Sequence, residues 1–197
     1  MKATVVIVPY QNDIKFLNIL DRVLEADGEF NVLVVDNNPN NKLSDILEDY
    51  PVKYVFNNNK GQLAGAMNLA VSMIDTEYLI YVCSNHTFIV DNSWLNYMVE
   101  SMDKSDAVIG GTVSEVKKGH DHVQGGVFII KTDILKEIPY DTVNFPFQFM
   151  DVYISDKINE HGYKFLNIPL VHSVMGKPRI RKEQKIIHTH LMPRIRF

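Results

Sequence analysis

Three short runs constrain this chain more than any other feature: Thr4–Val8 (TVVIV), Asn31–Val35 (NVLVV) and Tyr78–Val82 (YLIYV). They are almost continuously apolar and rich in β-branched or aromatic residues, instead of alternating with polar ones. That is the pattern of a strand covered on both faces, and such strands belong to parallel sheets with helices on either side. The intervening sequence supplies the helices. Pro9 stops the first run, Asp13 is a capping residue, and Ile14, Leu17, Leu20 and Leu24 follow at helical spacing before Gly28. Strand, helix, strand is a βαβ unit, which requires a parallel pair joined by a right-handed crossover.

The alternation continues. Leu43–Tyr50 reads as a short helix, Val52–Phe56 as a strand, Asn57–Gly61 as a polar loop and Leu63–Met73 as a helix. Ser93–Ser101 reads as a further helix. Ala107–Thr112 and Val127–Lys131 read as strands flanking a polar, Gly- and His-bearing stretch, Val116–Gly126. Ile154–His161 is helical and Lys164–Ile168 is a late strand. No repeat, low-complexity block or linker interrupts the 197 residues. The expectation is one α/β domain over residues 1–197, with a mainly parallel central sheet flanked by helices.

Composition narrows the classes. A hydrophobic fraction of 46% and a charged fraction of 22% suit a soluble globular protein. No apolar run is long enough to span a bilayer. The opening MKATVVIVPY lacks a small-residue cleavage site, so it reads as a first core strand instead of a signal peptide. A single cysteine, Cys83, excludes an internal disulfide framework and suits a reducing cytosol. The expected location is cytoplasmic, with any membrane contact peripheral. Net charge is −4, yet residues 171–197 hold Lys177, Arg179, Arg181, Lys182, Lys185, Arg194 and Arg196 against one acid, Glu183. This basic segment is either a solvated tail or a flap that meets pyrophosphate, an anionic acceptor or an anionic surface.

In open α/β sheets, ligands bind beyond the carboxyl ends of the strands, where the topology switches. That rule selects the loops Pro9–Asp13, Asp36–Asn40 and Cys83–Thr87. Asp36 is placed to accept hydrogen bonds from a ribose or base edge, or to turn the chain as an Asx cap. Lys60-Gly61 opens a helix, where free amides and an ammonium can seat a phosphate. The pair Gly125-Gly126 lets a ligand approach the backbone, or makes a bulge. Asp151 follows the aromatic stretch Phe145-Pro146-Phe147-Gln148-Phe149 and starts a helix. It is an N-terminal helix acid, or a general base whose pKa partial burial raises. His120 with His122, and His188 with His190, have the H-x-H spacing of metal ligands, although solvated loop positions suit the first pair better. The sequence has no G-x-x-x-x-G-K-[ST], no G-x-G-x-x-G after the first strand, no H-E-x-x-H and no C-x-x-C. These absences argue against a P-loop, a dinucleotide site, a zinc hydrolase and a zinc ribbon.

Six segments, taken in order, resemble the family-2 glycosyltransferases of the GT-A superfamily. They are VVIVPYQND at 5–13, NVLVVDNN at 31–38, NNNKGQLAGAMNLAV at 57–71, YLIYVCSNH at 78–86, QGGVFIIKTDIL at 124–135 and FMDVYISDKINEHGYKFLNIPLVHS at 149–173. The resemblance implies a nucleotide-diphosphate sugar donor, held by Pro9, Tyr10, Gln11, Asp36, Asn38, Lys60, Gly61, Asn68, Cys83, Ser84 and Asn85. It implies acceptor-side positions at Gly125, Gly126 and Trp94, and Asp151 as the base of an inverting transfer to an acceptor hydroxyl. It also implies that the basic tail closes over the donor phosphates.

The sequence departs from the family at one point. Where the family carries Asp-x-Asp for a divalent metal, this chain has Cys83-Ser84-Asn85. Hard cations prefer charged oxygen ligands, so both missing carboxylates matter. One outcome is a metal on Asn85, His86 and His172, favouring Mn²⁺ over Mg²⁺. A second, ranked first, needs no metal and neutralises the leaving diphosphate with Lys60 and the basic tail. The third is a non-catalytic relative that binds nucleotide sugar or glycan. A sugar-phosphate nucleotidyltransferase is disfavoured, because Pro9-Tyr10-Gln11-Asn12 is neither Gly-rich nor basic. The acceptor class stays open among glycans, lipid-linked sugars and other hydroxyl-bearing molecules, nucleic acid included.

Overall fold

The structure is a computed structural model, and it describes residues 1–10, 13–39, 43–84, 86–88, 92–117, 120–147, 150–169 and 172–174. The chain runs β1 (Ala3–Ile7), α1 (Asp13–Leu24), β2 (Phe30–Asp36), β3 (Lys53–Phe56), α2 (Gln62–Met73), β4 (Tyr78–Val82) and β5 (His86–Phe88). It continues α3 (Trp94–Asp103), β6 (Ile109–Lys117), β7 (His120–Lys131), α4 (Thr132–Glu137), α5 (Met150–Glu160), β8 (Phe165–Asn167) and β9 (His172–Val174). Seven strands form one sheet in the order β3-β2-β1-β4-β7-β6-β8, and β5 pairs with β9 in a small second sheet. Within the large sheet only β7 runs against the others, pairing antiparallel with β4 and β6.

The apolar runs are buried on both faces, as their lack of alternation requires. Every residue of β1 and β4 is buried. Successive side chains divide between two layers. Val5, Ile7, Val34 and Ile80 pack with Phe16 and Leu20 of α1 and Leu95 and Met98 of α3. Val6, Leu33, Leu79 and Tyr81 face the other way, onto Met67 and Ala70 of α2 and Ile154 and Ile158 of α5. The sheet is thus the middle of three layers.

The strand order creates a switch point. The chain moves from β1 outward to β2 and β3, then returns to place β4 on the other side of β1. Ile7 lies beside Val34 of β2 and beside Val82 of β4. The segments leaving these three strands therefore emerge together.

Two sequence expectations are corrected. Residues 43–50 form turns, not a helix. Leu43 and Leu47 are both buried and their backbones close one turn, Leu47 N–H to the Leu43 carbonyl at 3.0 Å. Pro51 then disfavours helical conformation at Tyr50. The polar stretch 116–126 is mostly strand: β6 reaches Lys117 and β7 starts at His120. This hairpin arm is only partly covered, so it carries no apolar run. The short helix α4 and the three-residue strands β5 and β9 lacked a signal of their own. No described helix is long and apolar enough to cross a membrane.

Candidate active site

The turns beyond the ends of β2 and β3 are built by asparagines and one aspartate. Asp36, at the end of β2, is fully buried. Its Oδ1 accepts the Asn38 N–H at 3.0 Å, and its Oδ2 accepts the Leu43 N–H and the Tyr54 hydroxyl, each at 2.9 Å. Burial and this carboxylate push the Tyr54 phenol well above its ordinary range, which keeps it a donor. The Asp36 side chain thus serves the turn. Asn37 N–H donates to the Pro9 carbonyl at 2.9 Å, tying the exits of β1 and β2 together. Asn57 Nδ2 donates to Asn37 Oδ1 at 2.7 Å and to the Lys60 carbonyl at 2.9 Å, while Asn37 Nδ2 donates to Asn59 Oδ1 at 3.0 Å.

This amide network shapes the loop leading into α2. Asn58, Asn59, Gly61 and Gln62 all adopt left-handed φ, between 51° and 65°. For the non-glycine residues that costs on the order of 1 kcal/mol each, and the surrounding bonds hold it in place. Lys60 is exposed at the head of α2. The amides there are partly spent: Gln62 N–H donates to the Asn59 carbonyl and Ala64 N–H to the Pro146 carbonyl. The ammonium of Lys60 is the stronger feature for an anion.

On the other side of the switch point, Cys83 N–H donates to the Gly126 carbonyl at 2.9 Å, extending the β4–β7 ladder. Cys83 and Ser84 are half-buried. Opposite β6, the register of β7 slips between Val123 and Phe128, which leaves residues 124–127 as a bulge in that pairing. Gly125 N–H in this bulge donates to Asp151 Oδ2 at 3.0 Å. A Cβ on Gly125 would lie 2.9 Å from that oxygen, so only glycine fits the approach. Asp151 Oδ1 accepts the Val152 N–H at 3.0 Å, and His122 Nε2 stands 3.5 Å from Oδ2.

The carboxyl of Asp151 is held below the usual carboxylate range. Burial pushes it up, but the His122 imidazole and the Val152 and Gly125 amides outweigh that push. The sequence expectation of a raised pKa is therefore corrected: Asp151 is an anion at neutral pH. Nearby, the Tyr81 and Tyr140 phenols are buried and pushed up by that burial, with the Asp151 charge adding to it. Asn68 holds Tyr140 by two bonds, donating to its carbonyl and accepting its N–H, each at 2.9 Å. Asn68 is thus occupied with Tyr140.

Aromatic rings line the approach. Tyr10, leaving β1, lies 6.4 Å from Phe147, and Phe145 lies 5.5 Å from Tyr153 of α5. Tyr10, Phe145 and Phe147 are all exposed. Trp94, expected on the acceptor side, is instead a core residue 4% exposed, in the layer of α1 and α3. His86 sits opposite Val174 and His172 opposite Phe88, so the two histidines occupy adjoining strands. Gln11, Asn85, Phe149, His188, His190 and the basic segment 175–197 lie outside the described residues. Sequence reasoning missed His122 in its place beside Asp151, and it missed the Asn37–Asn57–Asn59 network. The recurring Asn in strand-exit turns was the available signal for the latter.

The described residues do not fit a hard divalent ion. A thiol and a hydroxyl follow β4 where carboxylates would be needed, and no three His, Cys, Asp or Glu side chains gather among the described residues.

Comparison with curated proteins gives no match. The mannosyltransferase PcManGT from Pyrobaculum calidifontis, solved with GDP-Man and Mn²⁺, superposes with a TM-score of 0.70 at 16% identity over 85% of this chain. S. aureus TarS 1-349 superposes with a TM-score of 0.66 at 14% identity over 85% of this chain, and its complex with UDP-GlcNAc with 0.63 at 16% over 86%. The chain spans 55%, 58% and 59% of those structures in turn. These likenesses show the GT-A fold. The model of glycosyl transferase family 2 matches residues 5–162. With its strand-order switch point, its mainly parallel sheet and that match over most of its length, the chain belongs to glycosyl transferase family 2.

Proposed function

We propose that this protein is an inverting glycosyltransferase that moves a hexosyl or pentosyl group from a nucleotide-diphosphate sugar to an acceptor hydroxyl, with Asp151 as the base. One observation carries the reading: an ionised carboxylate, oriented by the Gly125 amide, stands beside the strand exits that form the switch-point crevice. The donor lies across the exits of β1, β2 and β4, against Pro9, Tyr10, Gln11, Asn38, Cys83, Ser84 and Asn85, with Lys60 and Gly61 near its phosphates. The acceptor hydroxyl attacks the anomeric carbon opposite the diphosphate. Its proton passes to Asp151, and the C–O bond to the diphosphate breaks with its electron pair. Lys60 and the basic tail offset the charge that develops there. The exposed rings of Tyr10, Phe145 and Phe147 offer an acceptor sugar an apolar face.

The related structures hold GDP-Man and UDP-GlcNAc, which makes these the first donors to try. A thermal-shift panel of UDP- and GDP-sugars, with and without Mn²⁺, tests donor binding. A donor at a hundredfold its Kd should raise Tm by roughly 5–10 °C. The shift should persist without Mn²⁺, because no carboxylate pair follows β4. A panel in which no nucleotide sugar raises Tm overturns the reading. The thiol and hydroxyl of Cys83 and Ser84 also favour a second reading, a non-catalytic binder of nucleotide sugar. Release of nucleoside diphosphate separates the two.

The Gly125 bulge gives a sharper test. Gly125→Ala should displace the Asp151 carboxylate and lower turnover about 100-fold, with near-UV circular dichroism unchanged. A methyl group accommodated without loss of rate would mean that this approach is not catalytic.

A further inference from the structure

We propose that His122 is a positioning residue for Asp151, its imidazole edge fixing the carboxylate from the β7 side; this rests on Asp151 being the base. The imidazole Nε2 lies 3.5 Å from Asp151 Oδ2, with the two side chains 17% and 28% exposed. That nitrogen is buried and has no hydrogen-bond partner among the described residues. A contact of this length is slack for a hydrogen bond, and catalytic contacts of this kind tighten when substrate binds.

The backbone around His122 is anchored to the helix that carries Asp151. On one side, Asn159 Nδ2 donates to the Asp121 carbonyl at 2.8 Å. On the other, Val123 N–H donates to Ser155 Oγ at 3.1 Å, and Ser155 Oγ donates to the Asp151 carbonyl at 2.6 Å. Two residues further, Gly125 N–H reaches the carboxylate itself. β7 thus grips α5 before, after and beyond His122, and the ring has little freedom to leave the carboxylate.

The other described groups around this pair are two phenols, a thiol, a second imidazole, a carboxylate and one ion pair. Tyr81 and Cys83 approach from β4 and its exit, and Tyr140 from the segment after α4. Both phenols are pushed up by burial and stay protonated. On β7, His120 precedes by two residues and its buried Nδ1 also lacks a partner. On β6, Glu115 stands opposite Asp121. Lys157 of α5 is paired with Glu160. Among the described side chains it is the His122 imidazole that holds the Asp151 carboxyl down, which favours the anionic form.

The sign follows directly. With the His122 ring in place, Asp151 stays ionised to lower pH, and removing the ring lets the carboxyl protonate at higher pH. The test is a ¹³C NMR titration of the full chain labelled at aspartate, with the Asp151 resonance assigned by its loss in Asp151→Asn. His122→Gln keeps a hydrogen-bond donor without the ring, and His122→Leu removes both. The Asp151 midpoint should move upward in both variants, and further in His122→Leu. Unchanged midpoints in folded variants overturn the proposal. Should His122→Leu fail to fold, His122→Gln alone decides. The titration needs no substrate, so its failure is separate from a failure of glycosyl transfer, which Asp151→Asn turnover reports.

Discussion

Asp151→Asn should lower turnover by about 10²–10⁴-fold while leaving donor affinity nearly unchanged. The change is nearly isosteric, and the amide oxygen can still accept the Gly125 N–H that orients Asp151 at 3.0 Å, with the NH₂ turned to the exposed side where Val152 N–H donates to Asp151. What disappears is the capacity to take a proton as the acceptor oxygen forms its new bond. The proposed donor contacts lie on the exits of β1, β2 and β4, which the substitution does not touch. The expected signature is a fall in kcat with the donor KM held, the mark of an interaction made mainly in the transition state. Parental turnover in the Asn variant would assign the base elsewhere.

The largest effect on stability is expected at Asp36. Its carboxylate is fully buried and accepts three hydrogen bonds, from two backbone amides and the Tyr54 hydroxyl. Asp36→Ala strands all three donors, and a buried donor left unpaired costs about 1–3 kcal/mol. The loss should reach about 3 kcal/mol or more, a Tm decrease of roughly 6–12 °C for a chain of this size. Asp36→Asn should also destabilise. Whichever way its amide turns, an NH₂ group faces a backbone N–H, because Asn38 and Leu43 donate to different oxygens. Differential scanning calorimetry checks both variants. If Asp36→Ala melts within 2 °C of the parent, the turn is held by something other than this carboxylate.

The strands were legible because burial on both faces leaves an apolar run, and the βαβ grammar then dictated the parallel pairing of β1 with β2. The switch point was legible for the same reason, since strand order alone locates it. Local pattern misled at residues 43–50, where Leu43 and Leu47 have helical spacing but only one turn closes before Pro51. It was silent on the outer half of β7, whose coverage comes from α5, distant in sequence. His122 read as a solvated loop residue because its neighbour Asp151 is set by that same long-range packing. The Asp151 pKa was misjudged in direction: burial was visible in the aromatic setting, but the opposing imidazole and amides were not.

The lone reversed strand has a consequence for how the molecule can diversify. Because β7 points the opposite way, its first residues, not the loop after its end, arrive where β1, β2 and β4 finish. In the proposed reading the strand exits that face the donor belong to the first 85 residues, and the neighbourhood of Asp151 comes from residues 120–153. In the proposed reading these halves meet chiefly along one ladder, so drift in acceptor preference can proceed while the nucleotide grip stays as it was.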